Sequence, residues 1–262
     1  MNVLLTPLKL VGFLLWCLIM VPLQLVTMLL KNRNPAYTLP WIWHKGVCRV
    51  LGLNVIVEGS PCTDHQVIFV CNHMSYLDIP VIGSVLQASF VAKGEVAKWP
   101  VFGFLSKLQQ TAFISRSKTT LGHDKNNLES MLQDGRSMII FPEGTSTDGR
   151  NVMPFKSSLF SIATSEEALA QDIWLQPMTL SLITVDRLPP ETQRLRDLYA
   201  WHGDMDLAPH LSAFTKIRGA TVKITFHPPI QARSLPDRKK LALACHEQVS
   251  QGLAKPGLAI AA

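Results

Sequence analysis

The chain has 262 residues, of which 47% are hydrophobic, and it carries a formal net charge of +6 at pH 7. This length accommodates one sizeable domain with an appendage, and the mean hydropathy of +0.19 is high for a freely soluble protein. The positive charge suits anionic lipid headgroups, the phosphates of coenzyme A, an acidic carrier protein or nucleic acid. Because no nucleic-acid-binding motif accompanies the charge, we expect membrane lipids and not nucleic acid among the partners.

An uncharged apolar stretch lies near the amino terminus, from Leu10 to Leu30. As a helix it would extend roughly 30 Å, the thickness of a bilayer's hydrocarbon core, and it is too long for a cleaved signal peptide. Pro22 and Gln24 leave two forms open, a transmembrane helix or a re-entrant or interfacial hairpin. We therefore predict a membrane-anchoring segment over residues 1–40 and a separate domain over residues 41–262.

The charges that flank this stretch predict its orientation. Positive residues are denser on its carboxyl-terminal side, at Lys31 and Arg33, than on its amino-terminal side. The positive-inside rule then places the domain on the cytoplasmic side of the cell's inner membrane. The five cysteines form no C-x-x-C pair, which is typical of free thiols in a reducing compartment.

The remaining elements alternate between strands and helices, which indicates an α/β domain. The residues after Pro40 suit an amphipathic helix, with Trp41 and Trp43 either at the lipid headgroups or in the core. Apolar runs predict strands at 54–58, 67–70, 88–92, 138–141, 174–182 and 222–226, and helices are predicted at 79–86, 118–134, 154–170 and 236–253. The apolar aromatic patch V-A-K-W-P-V-F-G-F-L, at 96–105, could line an acyl-chain channel, although ordinary core packing is slightly favoured.

The run V-I-F-V-C-N-H-M-S-Y-L-D-I-P, from Val67 to Pro80, has the most specific chemical pattern. A strand-like segment stops at Asn72 and exposes His73, whose neutral imidazole can accept a proton from a hydroxyl. Asp78, five residues on, can accept the other ring N–H and fix the tautomer. The alternative is that Asp78 only caps a helix and His73 is a surface residue. Because no G-x-S-x-G is present, we favour a dyad that activates a substrate hydroxyl over a covalent acyl-enzyme.

A second cluster follows another strand-like run. Residues 137–149 read S-M-I-I-F-P-E-G-T-S-T-D-G, and the apolar run T-A-F-I-S-R between the two clusters ends in Arg116. Polar groups at the ends of two strands are how open α/β sheets build a site.

In order and spacing, these blocks and the later L-Q-P-M resemble the glycerolipid acyltransferase family, the 1-acylglycerol-3-phosphate acyltransferases and their relatives. The resemblance covers about residues 45–230. It implies a single domain with a mixed sheet flanked by helices, and transfer of an acyl group from acyl-coenzyme A or acyl carrier protein to a lysolipid hydroxyl. It also implies that His73 and Asp78 are catalytic, without a cofactor or metal, and that the acceptor's phosphate and glycerol are held by Arg116, Glu143, Gly144 and Thr145.

One departure from the family pattern concerns the acceptor. The usual third block reads F-P-E-G-T-R, and this chain has Ser146 in place of the arginine. The resemblance implies 1-acylglycerol-3-phosphate as the first choice of acceptor, giving phosphatidate. Lys156, near the start of the helix predicted over 154–170, is a candidate to bind the acceptor's anionic group in place of the arginine. The missing arginine keeps a second acceptor open, lyso-ornithine lipid. A non-catalytic lipid-binding module is a further alternative, which the intact H-x-x-x-x-D spacing argues against.

The stretch W-H-G-D-M-D-L-A-P-H, at 201–210, concentrates histidines and aspartates. It has no H-E-x-x-H or similar frame, so we expect no metal there. We predict instead a loop that contacts the acceptor headgroup.

Overall fold

The computed structural model describes residues 4–29, 33–114, 128 and 130–254. The helices are α1 Leu5–Leu29, α2 Arg33–Leu51, α3 Asp78–Gly83, α4 Phe102–Leu108, α5 Ser161–Thr164, α6 Glu166–Ala170, α7 Gln193–Arg196, α8 Leu207–Thr215 and α9 Arg238–Ala254. The strands are β1 Leu53–Glu58, β2 Val67–Cys71, β3 Ser89–Lys93, β4 Ala112–Ile114, β5 Met138–Ile140, β6 Trp174–Val185, β7 Ala220–Phe226 and β8 Ile230–Gln231. Short 3-10 helices cover Gly94–Lys98, Ser157–Phe160 and Ala232–Ser234.

The strands form one open, mixed sheet in the order β1-β7-β6-β2-β5-β3-β4, with β8 paired to β6. Strand β2 lies in the middle and is parallel to both of its neighbours, β5 and β6. Strand β7 runs antiparallel to β6, which makes the sheet mixed. The prediction of an α/β domain with a mixed sheet flanked by helices is confirmed.

All five side chains of the central strand β2 are buried, as expected for a parallel strand covered on both faces. Its side chains alternate between two hydrophobic clusters. Val67, Phe69 and Cys71 face a cluster that includes residues of α2, α3 and α8. Ile68 and Val70 face a second cluster, built with α5, α6 and α9. The sheet is therefore the middle layer between two helical layers.

Helix α1 is continuous through Pro22 and lies against the domain. The Lys9 ammonium, which is buried, donates to the carbonyls of Leu51 and Ile217 at 2.7 and 2.8 Å. These carbonyls lie at the last residue of α2 and just beyond α8, where helical carbonyls lack partners of their own. Gln24 Nε2 does the same for the carbonyl of Leu108, the last residue of α4, at 2.8 Å. Both buried polar residues of α1 thus attach it to other helices.

Two predicted elements differ from the observed ones. Helix α2 begins at Arg33 and contains Pro40, so the predicted boundary between residues 40 and 41 falls inside a helix. The helix predicted over 154–170 is wrong, since the chain forms a 3-10 helix followed by the separate helices α5 and α6. Ser165 causes the break, because it adopts an extended backbone and its hydroxyl caps α6 by accepting from Ala168 N–H.

Candidate active site

The site forms at the carboxyl ends of β2 and β5, which are adjacent and parallel. His73 follows β2 by two residues and Glu143 follows β5 by three. Their loops are hydrogen-bonded to each other: the backbone N–H of His73 donates to Glu143 Oε1 at 2.7 Å, and the carbonyl of His73 accepts from Thr147 N–H at 2.9 Å. The sheet thereby joins the two polar clusters of the sequence into one site.

His73 and Asp78 are in contact. The Nδ1 atom of His73 lies 2.8 Å from Asp78 Oδ2, and the His73 side chain is 21% exposed whereas Asp78 is fully buried. A carboxylate can only accept, so the neutral imidazole donates from Nδ1 and keeps the lone pair on Nε2. The ring of His73 also stacks on Phe141, with ring centroids 4.1 Å apart. The histidine is therefore oriented on two sides and partly open to solvent.

The Asp78 carboxylate receives three further hydrogen bonds. The backbone N–H groups of Met74 and Ser75 donate to Oδ2 at 2.6 and 2.9 Å. The hydroxyl of Tyr199 donates to Oδ1 at 2.8 Å. Asp78 is also the first residue of α3, where the helix dipole favours a negative charge. These donors satisfy a carboxylate that is removed from water.

Glu143 is buried, and both of its carboxylate oxygens accept backbone N–H groups. Oε1 accepts from His73 and Oε2 from Met153, at 2.7 and 2.8 Å. Burial raises the pKa of Glu143, and the N–H groups of Met153 and His73 oppose that rise. The described contacts of this side chain therefore tie the His73 loop to the segment before Lys156, and its contact with substrate stays a prediction.

Gly144 and Lys156 lie side by side. Gly144 has a positive φ of +69°, and a Cβ atom added to it would lie 2.4 Å from Lys156 Nζ. No described carboxylate forms an ion pair with this ammonium, which leaves it available to an anion. Thr145 is exposed next to Gly144. Arg116 lies outside the described residues.

Ser146 faces another part of the chain. Its hydroxyl donates to the carbonyl of Trp201, while the backbone N–H of Trp201 donates to the carbonyl of Met74 at 2.8 Å. The start of the 201–206 loop is thus attached to both clusters, whereas residues 207–210 belong to α8, so the loop predicted over 201–210 ends at Asp206. Its contact with the acceptor headgroup stays a prediction. His202 pairs with Asp197 and His210 with Tyr76, and among the described residues no group of three His, Cys, Asp or Glu could hold a metal ion.

An apolar cavity of about 460 Å³ lies against the loop that connects His73 and Asp78, although neither of these two residues lines it. Residues of α1, α2, α4 and α8 line it, together with Tyr76 and Leu77 of the His73–Asp78 loop. The aromatic patch at 96–105, for which the sequence slightly favours core packing, contributes Trp99 and Phe102 to the wall of this cavity. The cavity forms where α1 bridges the other helices, so it is a property of the tertiary structure.

The cysteine nearest the dyad does not have the properties of a nucleophile. Burial, together with the charges of Asp78 and Glu143, raises the pKa of Cys71 well above its ordinary value, so it remains a thiol. All five cysteines are free, as predicted. The sequence singles out residues 201–210 but does not identify Tyr199 and Ala200, which precede them, as part of the site. Tyr199 follows no recognisable motif, and only its burial and contact with Asp78 reveal it.

A family model described as Acyltransferase matches residues 50–181. A lyso-ornithine lipid O-acyltransferase of Rhizobium meliloti is 33% identical over 90% of this chain and 81% of its own length. A 1-acyl-sn-glycerol-3-phosphate acyltransferase of Neisseria gonorrhoeae is 28% identical, over 84% of this chain and 81% of its own. The crystal structure of the acyltransferase PlsC from Thermotoga maritima superposes with a TM-score of 0.71 at 20% identity, covering 98% of both chains, which shows a shared fold. The chain belongs to the acyltransferase family and is an acyltransferase.

Proposed function

We propose that this enzyme transfers a fatty acyl group from a thioester to the free hydroxyl of a lysolipid, and that the acceptor is lyso-ornithine lipid. The observation that carries the chemistry is the His73–Asp78 contact, formed by a loop whose Tyr76 and Leu77 line an apolar cavity. A base with a fixed tautomer suits proton removal from a hydroxyl, and the cavity suits an acyl chain. No further cofactor is needed for this transfer.

The reaction follows from the tautomer. His73 Nε2 accepts the proton of the acceptor hydroxyl as its oxygen attacks the thioester carbonyl carbon. Asp78 stabilises the imidazolium that forms. When the tetrahedral intermediate collapses, the carbon–sulfur bond breaks and the imidazolium returns the proton to the leaving thiolate. General base catalysis of this kind contributes about 10²- to 10⁴-fold in rate.

Glu143 and Lys156 are assigned different roles in this proposal. Glu143 holds the His73 loop in place through its two backbone hydrogen bonds. Lys156 binds the anionic group of the acceptor above Gly144, and its ammonium can do so as a point charge. Gly144 leaves room for that side chain, and Thr145 and Arg116 stay predicted contacts of the same headgroup.

Ser146 supports the choice of acceptor. Its hydroxyl is engaged with the Trp201 carbonyl, so the position that carries an arginine in the usual block supplies neither a charge nor a free donor. A phosphate monoester carries up to two negative charges, whereas the carboxylate of lyso-ornithine lipid carries one, which a single lysine can match. The greater identity to the Rhizobium meliloti relative points the same way. The second candidate acceptor is 1-acylglycerol-3-phosphate, favoured by the similarity to the Neisseria gonorrhoeae enzyme.

Helix α1 supports membrane association. It is long and apolar enough to cross a bilayer, with 11% of its most apolar window buried. Because Lys9 and Gln24 attach it to the domain near both of its ends, we propose that it lies along the domain and inserts its outer face into one leaflet. The inner membrane and its cytoplasmic side remain predictions from the charge distribution.

A paired assay tests the acceptor. Purified protein in detergent is given labelled acyl-coenzyme A or acyl carrier protein with either lyso-ornithine lipid or lysophosphatidate. We expect product from lyso-ornithine lipid. The His73→Ala variant should keep the fold, as checked by its unfolding temperature, and lose at least about 10²-fold in rate. Product from lysophosphatidate alone would overturn the assignment of lyso-ornithine lipid as the acceptor. Substantial activity of His73→Ala would overturn the general-base mechanism.

A further inference from the structure

The segment from Tyr199 to Trp201 lies outside the residues matched by the family model, yet it is attached to the His73–Asp78 loop. Trp201 N–H donates to the Met74 carbonyl at 2.8 Å. His210 Nε2 lies 3.1 Å from the Ala200 carbonyl, and its Nδ1 lies 2.9 Å from the Tyr76 hydroxyl. Burial lowers the pKa of His210, so its ring is neutral and can donate to Ala200 while accepting from Tyr76. The segment is therefore fixed against the loop that carries the dyad.

Tyr199 makes the contact that matters for the chemistry. Three of the four donors to Asp78, including His73 Nδ1, are on Oδ2. Among the described residues, the Tyr199 hydroxyl is the one donor to Oδ1, at 2.8 Å. Both residues are fully buried, so water cannot replace this donor without rearrangement. Without the hydrogen bond from Tyr199, Asp78 Oδ1 would have no donor in the part of the chain that the structure describes, and the carboxylate could rotate toward a different orientation.

The hydroxyl stays protonated. Burial and the negative charge of Asp78 raise the pKa of Tyr199 well above its ordinary value. The phenol therefore keeps its proton at neutral pH and donates to the carboxylate. Its ring is held separately, by an edge-to-face contact with Phe214 at a centroid distance of 6.4 Å.

We propose that Tyr199 is a positioning residue for the transfer reaction, which acts through Asp78. It holds the carboxylate in the orientation that keeps Oδ2 on His73 Nδ1, and so keeps Nε2 aimed at the acceptor hydroxyl. The proposal rests on the His73–Asp78 mechanism above. It extends the catalytic arrangement from two residues to three, with the third contributed by a segment more than 100 residues away in sequence.

The kinetic test uses Tyr199→Phe, which keeps the ring and removes the hydroxyl. We expect kcat to fall about 10-fold or more with KM for donor and acceptor unchanged, because the hydroxyl acts on the base and not on substrate. Phe214→Leu is the matched control: it loosens the packing of the same ring without touching the hydroxyl, and should lower the unfolding temperature while kcat stays within about twofold.

The outcomes separate this inference from the proposed function. If His73→Ala is inactive and Tyr199→Phe keeps its full kcat, the positioning role is overturned and the mechanism stands. If Phe214→Leu loses kcat to the same extent as Tyr199→Phe, the effect is general packing and the positioning role is again overturned. If His73→Ala is active, the mechanism itself fails.

A second measurement does not depend on turnover. In ¹⁵N-histidine-labelled protein, the Nδ1–H proton of His73 is identified by its loss in His73→Ala. Because Tyr199 withdraws charge from the carboxylate that this proton contacts, its resonance should move in Tyr199→Phe and stay in place in Phe214→Leu. An unchanged resonance in Tyr199→Phe would contradict the proposal.

Discussion

Gly144 determines two features of the site, the backbone conformation of the turn after β5 and the position of the Lys156 ammonium. Its φ of +69° lies in the left-handed region, which glycine adopts without strain. The absence of a side chain also leaves the space in which Lys156 Nζ lies. The glycine of the F-P-E-G-T block is thus required twice, once for the turn and once for the ammonium beside it.

Gly144→Ala should displace the Lys156 ammonium and raise KM for the acceptor several-fold, since a Cβ would lie 2.4 Å from Nζ. Gly135→Ala is a matched control, because Gly135 has φ +75° with nothing within 4 Å of its added Cβ. Both variants should lose about 1–2 kcal/mol of stability from left-handed strain. Steady-state kinetics with varied acceptor would reveal the difference, and equal KM values in the two variants would argue against Lys156 as the anion site.

At the scale of elements, α1 is unusual for so apolar a helix, because two of its three buried side chains, Lys9 and Gln24, are polar. Lys9 and Gln24 face inward and cap the carboxyl ends of other helices, while leucines and valines face outward. In a soluble helix the pattern is the reverse. The inversion is what a helix between a protein surface and lipid requires.

Lys9→Met should detach the amino-terminal half of α1, because the carbonyls of Leu51 and Ile217 lose a charged donor. A loss of about 2 kcal/mol would lower the unfolding temperature by about 4–8 °C for a chain of this size. Leu8→Met, at the neighbouring exposed position, should leave it unchanged. Thermal unfolding in detergent measures both, and equal unfolding temperatures would show that the helix is held by apolar packing alone.

At the scale of the whole molecule, the cavity lies between helix α1 and the loop that carries the His73–Asp78 dyad. Its wall contains residues of α1 as well as Tyr76 and Leu77 of the catalytic loop. Residues of both the 1–40 and the 41–262 parts therefore line one cavity, and the division of the chain into an anchoring segment and a domain stays a prediction. An acyl chain in that cavity would lie between the lipid-exposed helix and the loop that carries the base.

Val21→Phe should narrow this cavity and reduce transfer of long acyl chains more than short ones, since Val21 lines it. Val26→Phe is the control on the same helix, because Val26 is 56% exposed and does not line the cavity. Rates with donors of graded chain length would give a shifted preference for the first variant and an unchanged one for the second. The same chain-length preference in Val21→Phe and Val26→Phe would show that the acyl chain does not bind in this cavity.

The elements with local signals could be predicted from the amino-acid sequence. The buried V-I-F-V-C strand, the H-x-x-x-x-D spacing and the F-P-E-G-T turn could each be recognised within a short window, because side-chain alternation, loop length and turn chemistry act over a few residues. The spacing also predicted the His73–Asp78 contact, which the structure has. The apolar amino-terminal helix was visible in the same way, from composition alone.

Contacts between residues distant in sequence became visible in the folded chain alone. That Glu143 accepts from the His73 backbone, that Ser146 faces Trp201 and that Tyr199 donates to Asp78 depends on parallel pairing of β2 with β5 and on the return of the chain after β6. The inward direction of Lys9 and Gln24 likewise depends on where other helices end. Such contacts leave no periodic trace in the sequence, because each one is set by packing between segments tens to hundreds of residues apart and not by the propensities of either.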